Sequence, residues 1–318
     1  MTEVELKLRV VATDHPAEGV RRLVLTDAEG GDLPAWEPGA HVELTLGEGL
    51  VRQYSLCGDP ADRSRWQIAV LRERHGRGGS AFVHDGLAAD DVVSARGPRQ
   101  QFAWEPSRSH LFLAGGIGIT PLVPMLAAAE AAGVPWVLHY GGRSRASMAF
   151  ADELAGRYGD AKVVVHPEDE EGLLDLGRIV GPPRDGLRVH ACGPASMLAA
   201  VEQACASFPA GTLAVERFVA REDAAAPGGA FEVELTSDGR VLAVGTEESI
   251  LDVLERAGVD ILSSCREGTC GTCETDLVEG LVEHRDSILT PAEQEAMDVL
   301  FVCCSRAAAG CSRLVIDR

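Results

Sequence analysis

Cys265-Arg-Glu-Gly-Thr-Cys270-Gly-Thr-Cys273, followed thirty residues later by Cys303-Cys304, is the stretch on which the reading of this chain turns. C-x4-C-x2-C…C is the spacing that holds a plant-type [2Fe-2S] cluster. Four thiolates must reach two irons, so three come from one tight loop and the fourth from a distant segment. Gly268 and Gly271 suit such a loop, which needs backbone freedom and N–H groups aimed at sulfur. A structural zinc ordinarily wants two C-x2-C pairs or added histidines, and only one C-x2-C occurs here. Disulfides need an oxidising compartment, yet Met1-Thr-Glu-Val-Glu-Leu-Lys-Leu opens with charge and strand-like alternation rather than an apolar signal segment, so a cytoplasmic protein is expected. Either Cys303 or Cys304 can supply the fourth thiolate. Neighbours on a strand face opposite ways, so only one of them serves. Cys57, Cys192, Cys205 and Cys311 lie outside the spacing.

Outward from that loop, 318 residues with 46% hydrophobic content predict two or three compact, soluble units. Apolar runs such as Leu122 to Ala129 are too short for a membrane span and are broken by Pro124 and Glu130, so no membrane anchor is expected. A net charge of −20 argues against nucleic acid, whose phosphates demand a basic footprint. From Phe231 to Arg318 there are 18 Asp and Glu against 7 Arg and no Lys, a net of −11. That is either an acidic, solubilising surface or a face that steers the segment toward a basic redox partner.

Three blocks follow from the periodicities. Residues 1–105 carry short alternating runs, Leu6 to Val11, Arg22 to Leu25, His41 to Leu46, Trp66 to Leu71 and Asp91 to Ala95, and predict an antiparallel β-barrel or sandwich. In residues 106–219 strands alternate with helices: His110 to Ala114 then Pro121 to Ala132, Trp136 to Tyr140 then Ala146 to Tyr158, Lys162 to His166, Arg188 to Ala191 then Ala195 to Phe208, and Leu213 to Val215. This predicts a parallel α/β sheet with crossover helices. Residues 220–230 have no apolar periodicity, contain Pro-Gly-Gly and read as a linker. Residues 231–318 place strands at Phe231 and Leu314 around a Ser249 to Ala257 helix and the cysteine loop.

Two further motifs carry chemistry. Leu111-Phe-Leu-Ala-Gly-Gly-Ile-Gly-Ile-Thr-Pro121 sets a glycine-rich turn between a strand and a helix, where free N–H groups and the helix dipole attract a pyrophosphate. Thr120 is the expected N-cap and Pro121 the first helical residue. The same glycines can serve packing alone, and the full G-x-G-x-x-G pattern is absent. Cys192-Gly193-Pro194 ends a later strand at the carboxyl edge, where ligands of open α/β sheets bind, and can flank a nicotinamide ring. In the first block, Arg52-Gln53-Tyr54-Ser55-Leu56 and Gly76-Arg-Gly78-Gly79-Ser80 offer an arginine clamp, an aromatic, backbone N–H groups and a hydroxyl to a phosphate-bearing planar ligand. Read alone, Arg52 and Tyr54 are equally a solvated strand residue and a core aromatic.

Taken together, the three blocks resemble the phthalate dioxygenase reductase family along essentially the whole chain. The resemblance implies an FMN-binding barrel of the ferredoxin reductase type, a Rossmann-like NAD-binding α/β domain and a C-terminal β-grasp ferredoxin domain, in that order. Carried over by position, it implies Arg52 and Ser80 with Gly78 and Gly79 at the FMN phosphate, and Gln53, Tyr54 and Ser55 along the flavin. It puts Phe218, in Val215-Glu-Arg-Phe, on the flavin's other side. Gly115, Gly116, Gly118, Thr120, Arg143, Cys192, Gly193 and Pro194 fall to the nicotinamide nucleotide, with Ser55, Cys192 and Phe218 flanking hydride transfer. The family's final Cys-x-Ser-Arg fits Cys303-Cys304-Ser305-Arg306, which makes Cys303 the ligand beside Cys265, Cys270 and Cys273. The implied partner is a terminal oxygenase, Rieske non-haem iron or cytochrome P450, served by a monomer. NADH gives two electrons at once and a [2Fe-2S] centre takes one, so a flavin between them is expected to do both. No acidic residue follows the second strand in His139-Tyr-Gly-Gly-Arg-Ser-Arg145, which by itself favours NADPH at Arg143. The resemblance implies NADH, and NADH is the expectation. The rival readings are a redox-sensing or scaffold iron–sulfur flavoprotein and an FAD-type or NADPH-using reductase of similar layout.

Overall fold

The computed structural model describes residues 4–47, 49–74 and 76–318, with 291 and 292 in backbone only. Residues 1–3 of the first predicted block and His75 lie outside the described residues. The chain divides into two compact units, one ending at Glu216 and the other running from Arg217 to Arg318.

In the first unit, β1 (Val4–Ala17), β2 (Val20–Asp27), β3 (Ala40–Leu46), β4 (Leu50–Ser55), β5 (Trp66–Leu71) and β6 (Val92–Gln100) form an antiparallel sheet in the order β4-β3-β6-β1-β2-β5. Alternation drives it: Leu8, Val10, Leu23, Leu25, Val42, Leu44 and Ile68 point to one fully covered face. The sheet curls until its two ends meet, because the chain leaving β4 donates the Cys57 N–H to Gln67 O of β5 at 2.9 Å. β4 and β5 stay the outer strands of the sheet, so this one bond curls it into a half-barrel.

The parallel sheet consists of β7 (Ser109–Gly115), β8 (Trp136–Gly142), β9 (Val163–Pro167), β10 (Leu187–Cys192) and β11 (Leu213–Glu216), in the order β11-β10-β7-β8-β9. The Leu122–Ala131 and Ala151–Tyr158 helices cover the face that carries Phe112, Ala114, Leu138 and Tyr140. The Leu176–Val180 and Ala195–Cys205 helices cover the opposite face with Leu111, Leu113 and Val189. The predicted Ala146 to Tyr158 helix begins later, at Ala151, because Phe150 takes a left-handed φ of 65° that interrupts the turn before it.

Barrel and parallel sheet share one core, which is why the sequence shows two patterns while the structure forms one unit. Val20, Cys57, Ala69 and Phe102 of the barrel side pack with Phe112, Met125 and Tyr140. At Gly39, φ 91°, an added Cβ would lie 1.7 Å from Phe102 O, so only glycine allows the approach. Arg22 ties the two layers by pairing with Asp14 and Glu153 and lying 5.6 Å over the Phe150 ring.

In the second unit, β12 (Phe231–Leu235), β13 (Val241–Val244), β14 (Glu274–Glu279), β16 (Val299–Phe301) and β18 (Arg313–Ile316) form a mixed sheet in the order β13-β12-β18-β14-β16, with β12 and β18 parallel. A small ribbon pairs β15 (Val282–Glu283) with β17 (Arg306–Ala307). The Ile250–Arg256 helix packs Leu251 and Leu254 into the core and starts at a Ser249–Asp252 capping box. The expected linker has no regular element, yet it is strapped to this unit: Ala224 is buried, Gly228 N–H donates to Thr246 O at 2.9 Å, and Arg285 and Arg306 donate to Ala226 O and Gly229 O.

Inside the first unit, His110, Phe112 and His190 stack, with ring centroids 5.2–5.7 Å apart. Burial holds His190 at a pKa of about 3, against an ordinary 6.5, with His110 a lesser cause. The unfolded chain takes up a proton below about 6.5 that the folded chain refuses, so folding stability falls as pH drops from there toward 3. Thermal unfolding from pH 7.5 to 4 is expected to show this decline, and His190→Gln to make it shallower even though it lowers the midpoint at pH 7.5.

Candidate functional site

Three strand ends converge in the first unit. The Glu216 carboxyl at the end of β11 hydrogen bonds with Ser55 at the end of β4 and lies 3.9 Å from the Cys192 sulfur at the end of β10. Burial, first of all, pushes Glu216 up to about 8, which leaves a neutral carboxyl at pH 7 with a proton to donate. Cys192 is fully buried, and burial followed by the neighbouring Glu216 raises its thiol well above the ordinary range. It is a protonated thiol rather than a nucleophile. Sequence reasoning singled out Ser55 and Cys192 and passed over Glu216. The only signal was its place two residues before Phe218, and a lone Glu at a strand end has no spacing that marks it.

The glycine-rich turn departs from the expected capping. Residues Gly116–Ile119 form a single 3-10 turn that runs into the Leu122–Ala131 helix, with Pro121 at the N-cap position. Buried Thr120 donates its hydroxyl to Ile117 O at 3.0 Å instead of capping the helix, because its own backbone already has helical φ −56° and ψ −49°, whereas an N-cap residue is non-helical. The glycines are set by backbone contact with the neighbouring loop. A Cβ on Gly118 would sit 2.3 Å from Cys192 O, and one on Gly115 2.6 Å from Pro194 Cδ. One on Gly193 would lie 3.0 Å from the Gly115 backbone. Gly116 alone faces open space, at φ 54°. Packing and ligand access are thus divided among the four glycines. Tyr140, fully buried, shares its hydroxyl between Gly116 O and Ala149 O, each at 3.1 Å.

Arg143, at the end of β8, is exposed, and its carbonyl accepts the Asp169 N–H at 3.2 Å. That bond brings the exposed run Glu168–Glu171, at the end of the next strand, beside Arg143. The acidic group missing after the second strand in sequence therefore lies one strand further out.

On the barrel, Arg52 donates to Arg77 O at 2.8 Å, which draws β4 against the Gly78–Ser80 turn. Gly78 takes φ 85°, and a Cβ on Gly79 would lie 2.6 Å from Arg52 Cγ, so the close approach depends on both glycines. The Ser80 hydroxyl accepts the Glu73 N–H at 3.0 Å, keeping its own proton for another acceptor. Tyr54 packs against the barrel core and is pushed up to about 12 by burial. Gln53 faces the other side of β4 and donates to Glu43 at 3.4 Å. Phe218 belongs to the second unit and is exposed.

In that unit, the thiols gather in pairs: Cys265 with Cys270 and Cys303, and Cys273 with Cys303. Glu267 N–H and Thr269 N–H each reach Cys265 Sγ at 3.4 Å, and Cys265 N–H reaches Cys270 Sγ at 3.5 Å. Sulfurs ringed by backbone donors fit an anionic cluster better than a disulfide. Gly268 and Gly271 have φ 74° and 76°. A Cβ on Gly268 would strike Cys304 Sγ at 2.6 Å. Cys303 and Cys304 sit in a turn after β16, not on a strand, and Cys304 Sγ faces Phe301 O at 3.7 Å.

An antiparallel half-barrel, a parallel nucleotide-type sheet and a mixed sheet whose Cys265, Cys270, Cys273 and Cys303 thiols meet pairwise define the class of modular flavin and iron–sulfur oxidoreductases. Residues 233–308 match the 2Fe-2S iron-sulfur cluster binding domain. The chain is 39% identical over 305 residues to phenoxybenzoate dioxygenase subunit beta of Ectopseudomonas oleovorans, covering 96% of this chain and 95% of that protein. It is 34% identical over 316 residues to phthalate dioxygenase reductase of Burkholderia cepacia, covering 98% and 97%. A solved phthalate dioxygenase reductase, described as a modular structure for electron transfer from pyridine nucleotides to [2Fe-2S], superposes with TM-score 0.71 at 33% identity, covering 99% of this chain and 98% of that one. An intact type IV self-sufficient cytochrome P450 monooxygenase superposes at 0.92 and 39% identity over 99% of this chain, which spans 41% of that one. The chain belongs to the phthalate dioxygenase reductase family.

The division of labour among the glycines is testable by single methyl groups. Gly118→Ala should destabilise the chain by about 1–3 kcal/mol by overpacking against backbone. Gly156→Ala, in the Ala151–Tyr158 helix with nothing within 4 Å, should stabilise it by about 0.5–1 kcal/mol. Thermal unfolding of the two variants checks both.

Proposed function

We propose that this chain is the NADH-dependent reductase of an oxygenase system, carrying electrons from NADH through FMN to a [2Fe-2S] centre and on to a terminal oxygenase of Rieske or cytochrome P450 type. The convergence of Ser55, Cys192 and Glu216 at three strand ends supports this reading most directly, since it sets polar O–H groups and a small thiol where two flat rings have to meet. The relatives include both dioxygenase reductase subunits and the self-sufficient P450, so either oxygenase type fits. Among the described residues no helix is long and apolar enough to cross a membrane; the reading takes the chain as a cytoplasmic monomer.

In this reading the barrel (1–105) holds FMN, the parallel sheet (106–219) holds NADH and the 231–318 segment holds the cluster. Arg52, Gly78, Gly79 and Ser80 grip the FMN phosphate, while Tyr54 and Ser55 line its ring and Gln53 supports that strand. Gly115, Gly116, Gly118, Thr120, Gly193 and Pro194 shape the pyrophosphate turn, and Cys192 borders the nicotinamide. Bound FMN supplies the conversion between the two-electron chemistry of NADH and the one-electron chemistry of iron. The neutral Glu216 carboxyl orients the Ser55 hydroxyl and would hold a proton at the junction where a bound flavin would meet the nicotinamide. The Glu168–Glu171 run beside Arg143 disfavours a 2′-phosphate, and so favours NADH over NADPH. Cys265, Cys270, Cys273 and Cys303 ligate the irons, with Cys304 as a buried bystander.

Oxygen-free titration with NADH should bleach flavin and iron–sulfur absorption together at about three electrons per chain; absent flavin bands, or bands that ignore NADH, would favour the sensor reading. In the same assay Cys304→Ser should keep the iron–sulfur bands and Cys303→Ser should lose them. The NADH-driven rate should fall as pH rises through about 8, where Glu216 loses its proton. In Glu216→Gln the rate should be lowered about tenfold or more and that limb should flatten.

A further inference from the structure

The turn after the first thiol holds an arginine in a backbone conformation that L side chains resist. Arg266 takes φ 58°, where its Cβ crowds the following carbonyl, and such a residue persists only where its surroundings over-determine it. Its surroundings do so. The guanidinium takes Glu255 in a two-point fork at 2.7 and 3.1 Å and reaches Asp252 at 2.6 Å. Both carboxylates stand on the Ile250–Arg256 helix, whose Leu251 and Leu254 are anchored in the core. Immediately after this left-handed residue, the N–H groups of Glu267 and Thr269 both point at Cys265 Sγ, each at 3.4 Å. Each of these N–H groups follows a left-handed residue, Arg266 at φ 58° and Gly268 at φ 74°, and together they make a concave anion-binding nest.

We propose that Arg266 is a positioning residue for the iron–sulfur centre. Its fork to the helix locks the left-handed turn that presents two N–H groups to Cys265 Sγ. Retention and potential of the centre are then governed by loop geometry rather than by the arginine's charge. This rests on the cluster assignment made above.

Glu255→Gln in the full chain separates geometry from charge. Among the described residues the Glu255 carboxylate pairs through this exposed fork alone, so its removal leaves folding nearly intact. Asp252 is left alone because it also closes the helix cap with Ser249. Removing a carboxylate near the centre favours the reduced, more negative state, so a pure charge effect raises the midpoint potential. Loosening the nest removes N–H···S bonds that stabilise the reduced state, so a geometric effect lowers it. We expect Glu255→Gln to lower the potential in a spectroelectrochemical titration and to speed loss of the visible iron–sulfur bands to a chelator about fivefold. Arg266→Lys, which keeps the charge and gives up the fork, should shift both readouts in the same directions. A potential that rises or stays fixed in Glu255→Gln, in a chain whose native form shows the [2Fe-2S] spectrum, overturns this inference alone. A native chain without that spectrum overturns the cluster assignment and this inference with it.

Discussion

Backbone-to-backbone contact between the Gly115–Gly118 turn and the Cys192–Pro194 loop is the constraint on which the first unit's site depends. The two loops leave neighbouring parallel strands at their carboxyl ends, and β7 and β10 pair in register up to Ala114 and Cys192. With side chains at Gly115, Gly118 or Gly193 the loops would be forced apart by direct collision. Held together, they put Cys192 beside Glu216 of β11, its pairing partner one strand over. They also leave Gly116 as the open point of the turn. Glu216 then meets Ser55 because barrel and sheet share a core, so the barrel's β4 ends where the sheet's strands end.

That arrangement explains the electrostatics of the site without any charged partner. A carboxyl enclosed between a hydroxyl and a thiol has no cation to stabilise its anion, so burial dominates and the proton stays on. The thiol, enclosed beside it, stays protonated for the same reason. Two neutral donors thus meet at a junction of strand ends while adding little charge of their own. In the second unit the opposite logic holds: several backbone donors converge on sulfur, which favours a negative charge there.

The fold class was legible in the chain because periodicity reports it directly. Alternation in Leu6 to Val11 and His41 to Leu46, and the strand–helix rhythm from His110 onward, correspond to the antiparallel and parallel sheets. The Ser249 to Ala257 helix was readable to within one residue at each end. Thr120 misled, since a Thr before Pro caps a helix only where its own backbone is non-helical, and here the preceding 3-10 turn already holds it at φ −56° and ψ −49°. The linker's composition left its fastening unread. Its composition excludes helix and strand, but nothing local shows that Arg285 and Arg306, some sixty residues or more away, hold its carbonyls.

By itself the sequence determined the element types, the order of the three sheets and the family, because periodicity, glycine placement and cysteine spacing are local or linear quantities. Tertiary structure alone decided that barrel and parallel sheet form one unit and that Glu216 faces Ser55 and Cys192. It alone brought Glu168–Glu171 beside Arg143 and Arg266 onto the helix that carries Glu255. Each of these is a meeting of side chains or strand ends far apart in the chain, or on different elements. Their positions are set by sheet register and shared core packing, which no local pattern encodes.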